Sequence, residues 1–104
     1  MIKADETFGG TWPFTANFCN SAGFKQHYVD EGPRDGEVII CLHGEPTWGY
    51  LYRNFIPQLA QHYRVIVPDH MGFGKSETPQ NRAYTLQTHV ENLASLIDEL
   101  GLHE

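Results

Sequence analysis

The chain has 104 residues, room for one small domain, and a domain of this size buries only about two-thirds of its unfolded surface. An apolar fraction of 40% and a charged fraction of 19% are those of an ordinary soluble globular chain. The net charge of -6, with no basic run, argues against a nucleic-acid partner.

The first residues, Met1-Ile2-Lys3-Ala4-Asp5-Glu6, lack the apolar core of a signal peptide, and no stretch approaches a membrane span. Cys19 and Cys41 lie on predicted strands and read as free thiols of a reduced, cytoplasmic protein. Residues 1–11, with Gly9-Gly10 and mixed charge, predict a loosely ordered terminus; residues 12–104 predict the structured part.

In chain order, Phe14, Ala16 and Phe18 recur at period two within Trp12–Cys19, a strand signal. Asn20-Ser21-Ala22-Gly23 is a turn cluster, and Phe24–Gly32 reads as the second arm of a hairpin. The turn Gly32-Pro33-Arg34-Asp35-Gly36 leads to Val38-Ile39-Ile40-Cys41-Leu42, the most apolar run, which reads as a strand buried on both faces. Tyr50–Arg53 predicts a short turn, and Phe55–His62 a helix with Asn54 as its N-cap. That cap puts Pro57 in the first turn, where the missing N–H costs little. Tyr63–Val67 is a second buried strand, so the unit is a βαβ crossover. After a loop over residues 70–82, Thr85 caps a helix from Leu86 to Leu100 that Gly101 ends. Leu86, Val90, Leu93, Ile97 and Leu100 form one apolar stripe expected against the sheet.

Gly72-Phe73-Gly74-Lys75-Ser76 has the look of a phosphate loop. The first glycine of that motif would fall at Asp69, however, and Pro79 follows where its helix should start, so nucleotide binding is rejected. Asp69 and Ser76 are instead expected to satisfy backbone donors of a tight loop. Lys75 then reads as an exposed loop lysine whose removal leaves stability nearly unchanged. His27, His62, His70, His89 and His103 show no paired metal-ligand spacing.

The organising stretch lies between the two apolar strands: Cys41-Leu42-His43-Gly44-Glu45-Pro46-Thr47-Trp48-Gly49-Tyr50-Leu51-Tyr52-Arg53. In an open α/β sheet the loop at the carboxyl end of a central strand handles ligands, and Glu45 sits on it. His43 reads as a brace bonded to neighbouring backbone rather than as a general base. Trp48 reads as packed under the following helix rather than lining a pocket, and Pro46 is a candidate for a cis peptide.

The run HGEPTWGYLYR, with VIVPDHMGFGKSETP downstream, resembles the haloalkane dehalogenases of the α/β-hydrolase superfamily, over roughly Tyr28 to Leu102. HGxP alone is shared with epoxide hydrolases; the longer motifs are narrower. The resemblance implies the N-terminal portion of an α/β-hydrolase core: a β-hairpin, a βαβ unit and a helix on a mostly parallel sheet, incomplete, with nucleophile elbow, catalytic His and cap absent. It implies hydrolytic carbon–halogen cleavage through an alkyl-enzyme ester, with no cofactor and no metal. The backbone N–H of Glu45 would belong to the oxyanion hole and its carboxylate would hold the hydrolytic water, with His43, Gly44, Pro46 and Trp48 supporting the loop. Small halogenated or other apolar molecules are the implied substrates. The chain is expected to be inactive alone and to need a complementary C-terminal chain, or to self-associate. The rival readings are an epoxide hydrolase or esterase on the same scaffold, and a non-enzymatic split-gene or assembly half.

Overall fold

In a computed structural model, residues 2–44, 48–80 and 84–101 are described. Four strands form one sheet: β1 (Asn17–Cys19), β2 (Gln26–Glu31), β3 (Val38–Ile40) and β4 (Arg64–Pro68), in the order β1-β2-β4-β3. β1 and β2 form the expected hairpin, with Phe18 opposite His27. β2 runs antiparallel to β4, with Val29 opposite Val67, and β3 runs parallel to β4, with Ile39 opposite Val65. Among the described strands the sheet is therefore mixed rather than mostly parallel. Parallel neighbours need a crossover, and only the segment from β3 to β4 supplies one.

β4 is the spine. Val65, Ile66 and Val67 are buried, and Val65 and Val67 form a core cluster with Trp12, Val29 and Ile56. The Trp12 ring meets that of Phe14 edge to face, with centroids 4.8 Å apart. Packing of Trp12 and Phe14 as core rings, with Pro13 between them, restricts β1 to three residues instead of the run from Trp12.

Three further expectations are corrected. β3 is half-buried, not buried on both faces, because it lies at the sheet's edge; Leu42 beyond it is exposed. The proline-containing helix, α1, is only Ile56–Leu59, with Phe55 rather than Asn54 at the N-cap and no side-chain cap bond. The chain must turn at once into β4, and the N–H groups of His62 and Tyr63 both close onto the Leu59 carbonyl. The long helix, α2 (Leu86–Leu100), has its expected ends. The Thr85 hydroxyl accepts the Thr88 N–H at 3.1 Å, and Gly101 takes the left-handed conformation at φ 67°. Its apolar stripe, however, does not face a sheet. Leu86 is 80% exposed and Val90 57%, while His89, Asn92 and Leu96 are the buried residues. The helix is seated on loop and turn residues instead: His89 against His70 and Phe73, and Ser95 hydrogen-bonded to Ser21.

On the outer side of the spine, Asp30 of β2 receives both Nε and Nη2 of Arg64, at 3.0 and 2.8 Å, and pairs with Arg34 as well. Burial pushes the Asp30 carboxyl up, but the hydrogen bonds and charges of the two arginines outweigh it and hold the group below its ordinary range. No helix among the described residues is long and apolar enough to cross a membrane.

Candidate active-site loop

The loop leaves the carboxyl end of β3, where the Cys41 N–H still bonds to the Ile66 carbonyl at 3.0 Å. His43 follows, 4% exposed. Its Nε2 accepts the His70 N–H at 2.9 Å, so the ring proton is on Nδ1, which donates to the Gly44 carbonyl at 2.9 Å. The His70 ring returns the contact, donating from Nε2 to the His43 carbonyl at 3.1 Å. Both nitrogens of the His43 ring are thus occupied by backbone groups, an arrangement that fixes the strand end and leaves neither to take a substrate proton.

Glu45, Pro46 and Thr47 lie outside the described residues, and with them the expected cis peptide. Trp48 packs on Trp12, Phe8 and Tyr50, with ring centroids 5.1, 5.6 and 5.5 Å away. That places it against the core tryptophan and the N-terminal segment, on the cluster to which Ile56 of α1 belongs. A 3-10 turn, Gly49–Tyr52, comes next. Arg53 closes it from above, its guanidinium 4.3 Å from the Tyr50 ring centroid and Nη1 bonded to the Tyr50 carbonyl. The Tyr52 hydroxyl donates to the Leu42 carbonyl, tying the turn back to the strand end.

Under this loop sits Asp69, fully buried. Its Oδ1 accepts the Gly49 N–H at 2.6 Å; its Oδ2 accepts the Lys75 N–H at 3.0 Å and lies 2.8 Å from His27 Nδ1. A carboxylate with this many donors stays in place without solvent. Ser76 completes the expected wiring, donating to the Asp69 carbonyl at 2.7 Å and accepting the His27 N–H at 2.9 Å. Gly74 is required here: at φ 54°, an added Cβ would come within 2.5 Å of Asp69 Oδ2.

Lys75 departs from expectation. It is 1% exposed, and its Nζ donates to the carbonyls of Ala4 and Glu6 at 2.7 and 2.9 Å. Burial pulls the ammonium below the ordinary lysine value, opposed by the charges of Asp69, Asp5 and Glu6. Glycine-rich turns on either side had suggested an exposed loop; instead they fold the lysine inward onto the N-terminal segment.

His70 was also not singled out, beyond the absence of metal spacing. Its ring lies between His43 and His89, centroids 4.4 and 5.1 Å away. Burial first, then the charges of those two imidazoles, hold His70 below its ordinary value; Asp69 opposes them. A signal was present in its position, directly after the aspartate that follows β4. Because the unfolded ring titrates near 6.5 and the folded ring below that, the unfolded chain binds more protons in the window between. Stability contributed by His70 is therefore present above about pH 6.5 and lost as the pH falls through that window. We expect the urea midpoint to drop between pH 7 and pH 5, and the slope to flatten in His70→Phe. An unchanged or rising wild-type midpoint would contradict the assignment.

Among the described residues no three His, Cys, Asp or Glu side chains group as a metal site. Cys19 and Cys41 are free thiols, and burial raises the Cys41 thiol.

The profile of the alpha/beta hydrolase fold family covers residues 37–104, and the chain belongs to that family. Within it, the similarity is to haloalkane dehalogenases. The haloalkane dehalogenase of Mycobacterium marinum is 49% identical over 100 residues, which are 89% of this chain and 34% of that protein. The tetrameric haloalkane dehalogenase DpaA from Paraglaciecola agarilytica superposes with a TM-score of 0.82 at 39% identity, over 88% of this chain and 33% of that one. A cis-3-alkyl-4-alkyloxetan-2-one decarboxylase of Xanthomonas campestris is 46% identical over 87 residues, 77% of this chain and 29% of the relative. The chain thus spans about a third of the length of the relatives it matches.

Proposed function

We propose that this chain supplies the N-terminal part of a haloalkane-dehalogenase-like hydrolase, which cleaves a carbon–halogen bond hydrolytically through an alkyl-enzyme ester. The observation that carries the reading is the sequence likeness to haloalkane dehalogenases across the segment containing the β3 loop. In such a reaction an aspartate displaces halide from carbon, and an activated water then hydrolyses the ester. Negative charge develops on the halide and then on the ester oxygen, so aimed donors and a held water accelerate both steps. Glu45 is assigned to the second: its backbone N–H to the oxyanion, its carboxylate to the water. Its side chain does not serve the halide, because an ionised carboxylate has no proton to donate. His43, Gly44, Pro46 and Trp48 support that loop. The nucleophile, the catalytic His and the cap are expected from the part of the relatives that this chain does not match, whether on the same polypeptide or on a complementary one. Substrates are small halogenated or other apolar molecules, no cofactor is called for, and the setting is cytoplasmic. The chain by itself is expected to turn nothing over.

In the assembled enzyme Glu45→Ala should slow hydrolysis of the covalent intermediate at least tenfold, the effect of losing about 1.4 kcal/mol of transition-state stabilisation, and its formation much less. Glu45→Gln, which keeps an acceptor oxygen, should do less harm. Single-turnover kinetics separate the two steps, and an unchanged hydrolysis step would refute the role. The decarboxylase relative, at nearly the same identity, keeps a second reading in play: the scaffold carrying other chemistry, with epoxide hydrolase and esterase as its counterparts. Halide release by the assembled protein favours the first reading; turnover of lactones, epoxides or esters without it favours the second.

A further inference from the structure

The candidate loop is held at two points, and both points belong to one dipeptide. At its start, His43 is bonded to His70 twice, Nε2 to the backbone N–H at 2.9 Å and carbonyl to ring Nε2 at 3.1 Å. At its end, the Gly49 N–H is bonded to Asp69 Oδ1 at 2.6 Å. Asp69 is itself fixed by donors from elsewhere. Lys75 N–H and His27 Nδ1 meet its Oδ2, while its own N–H donates to the His27 carbonyl at 2.9 Å. Gln26 Nε2 and the Ser76 hydroxyl both reach its carbonyl, at 3.2 and 2.7 Å. Asp69, His27 and Ser76 are all buried, so these bonds compete with no water.

We infer that Asp69-His70 is the positioning element of the candidate site, a two-point clamp that sets where the segment between Gly44 and Gly49 begins and ends. The inference rests on the reading of that loop as the oxyanion and water-holding loop, since only then does its placement matter to chemistry. Neither residue touches the reacting atoms; each acts through the backbone it holds. Fixing the backbone at His43 and at Gly49 sets the geometry of the two places from which the loop departs. The two ends are chemically different. The Asp69 end is a charge-assisted bond to a backbone N–H; the His70 end depends on His43 being neutral with its proton on Nδ1.

The test is hydrogen exchange read residue by residue on this chain, isotope-labelled within the assembled protein, together with ring 15N shifts of its histidines at neutral pH. His43 should carry its proton on Nδ1 and His70 on Nε2, opposite tautomers in adjacent rings. His43→Phe, which keeps a ring in place, should speed exchange of the His70 N–H by roughly three- to tenfold, the effect of one lost hydrogen bond, and leave Gly49 protected. Asp69→Asn should do the reverse, speeding Gly49 and Lys75 and leaving His70. A merely structural role would speed exchange uniformly through the core. Uniform loss in His43→Phe, or His43 with its proton on Nε2 in the wild type, overturns the clamp; should Asp69→Asn not fold, those two results decide it. None of these readouts uses turnover. If the hydrolase reading fails, the clamp's signatures persist without an effect on chemistry, and if the signatures fail, turnover by the assembled enzyme is untouched.

Discussion

Replacing Lys75 by alanine should lower stability by about 2–3 kcal/mol and free the N-terminal segment from the rest of the molecule. Two hydrogen bonds from the ammonium, to the Ala4 and Glu6 carbonyls, are the reason. A hydrogen bond to a charged group contributes about 1.5–3 kcal/mol net. Ala4 and Glu6 are exposed, so water can replace the ammonium at their carbonyls, and the expected loss is nearer one such bond than two. Removing the buried stem leaves a cavity that adds to it. Lys75→Met separates these contributions, because it keeps most of the stem and loses only the charge and its bonds. The check is the urea midpoint of the three proteins, with limited proteolysis of residues 2–11 as the local readout. Equal midpoints for wild type and Lys75→Ala would mean that the ammonium contributes nothing.

Made alone, the 104-residue chain should associate rather than persist as a well-ordered monomer. β3 pairs only with β4 among the described strands, and its residues Val38, Ile39 and Ile40 include no lysine, proline or bulge that would protect an edge. High β propensity with unpaired backbone groups is a template for another strand. Leu42, Leu86 and Val90 stand 41%, 80% and 57% exposed. Covering what remains open of those three side chains offers roughly 3–5 kcal/mol, at about 1.5–3 kcal/mol per fully buried aliphatic side chain. That is a large share of the 5–15 kcal/mol that holds an ordinary domain together. Asn92 Nδ2 and both ring nitrogens of His89, buried on α2, have no hydrogen-bond partner among the described residues. Sedimentation should show concentration-dependent association, relieved by a charge on the edge such as Ile39→Lys, or a loosely packed monomer. A wild-type monomer with a cooperative melt and dispersed amide signals would refute the argument.

What could be read directly from the sequence was the local chemistry. Thr85 and Gly101 marked the ends of α2 because a cap is satisfied within a few residues of itself. Asp69 was readable as a loop acceptor because the glycines beside Lys75 leave backbone donors in need of partners, whereas the N–H that Ser76 accepts belongs to His27 on β2. The hairpin and the βαβ unit followed from periodicity and turn residues. What could not be read was whatever depends on which surfaces meet. The stripe on α2 has a helical period whether or not anything lies beneath it, and Val38–Leu42 reads equally apolar at an edge or in the centre of a sheet. Lys75 is an ordinary loop lysine until the N-terminal segment is brought across it. The His43–His70 contact joins residues that share no motif, and only the parallel register of β3 on β4 makes them neighbours.

The strand order also dictates when the sheet can form. Tyr28 is paired with Pro68, and Ile40 with Ile66, so β4, which lies between β2 and β3 in the sheet, leaves the ribosome after both of its neighbours. Until Arg64–Pro68 has emerged, β2 has only the three-residue β1 beside it, and β3 has no neighbour among the strands described. Closing pairs so distant in sequence is slow, because the connecting chain must be ordered before any bond forms. The hazard during synthesis therefore falls on the stretch between Ile40 and Arg64. A pause there leaves two strand-forming segments waiting, and it is at that point that a nascent chain would most benefit from being held by a chaperone.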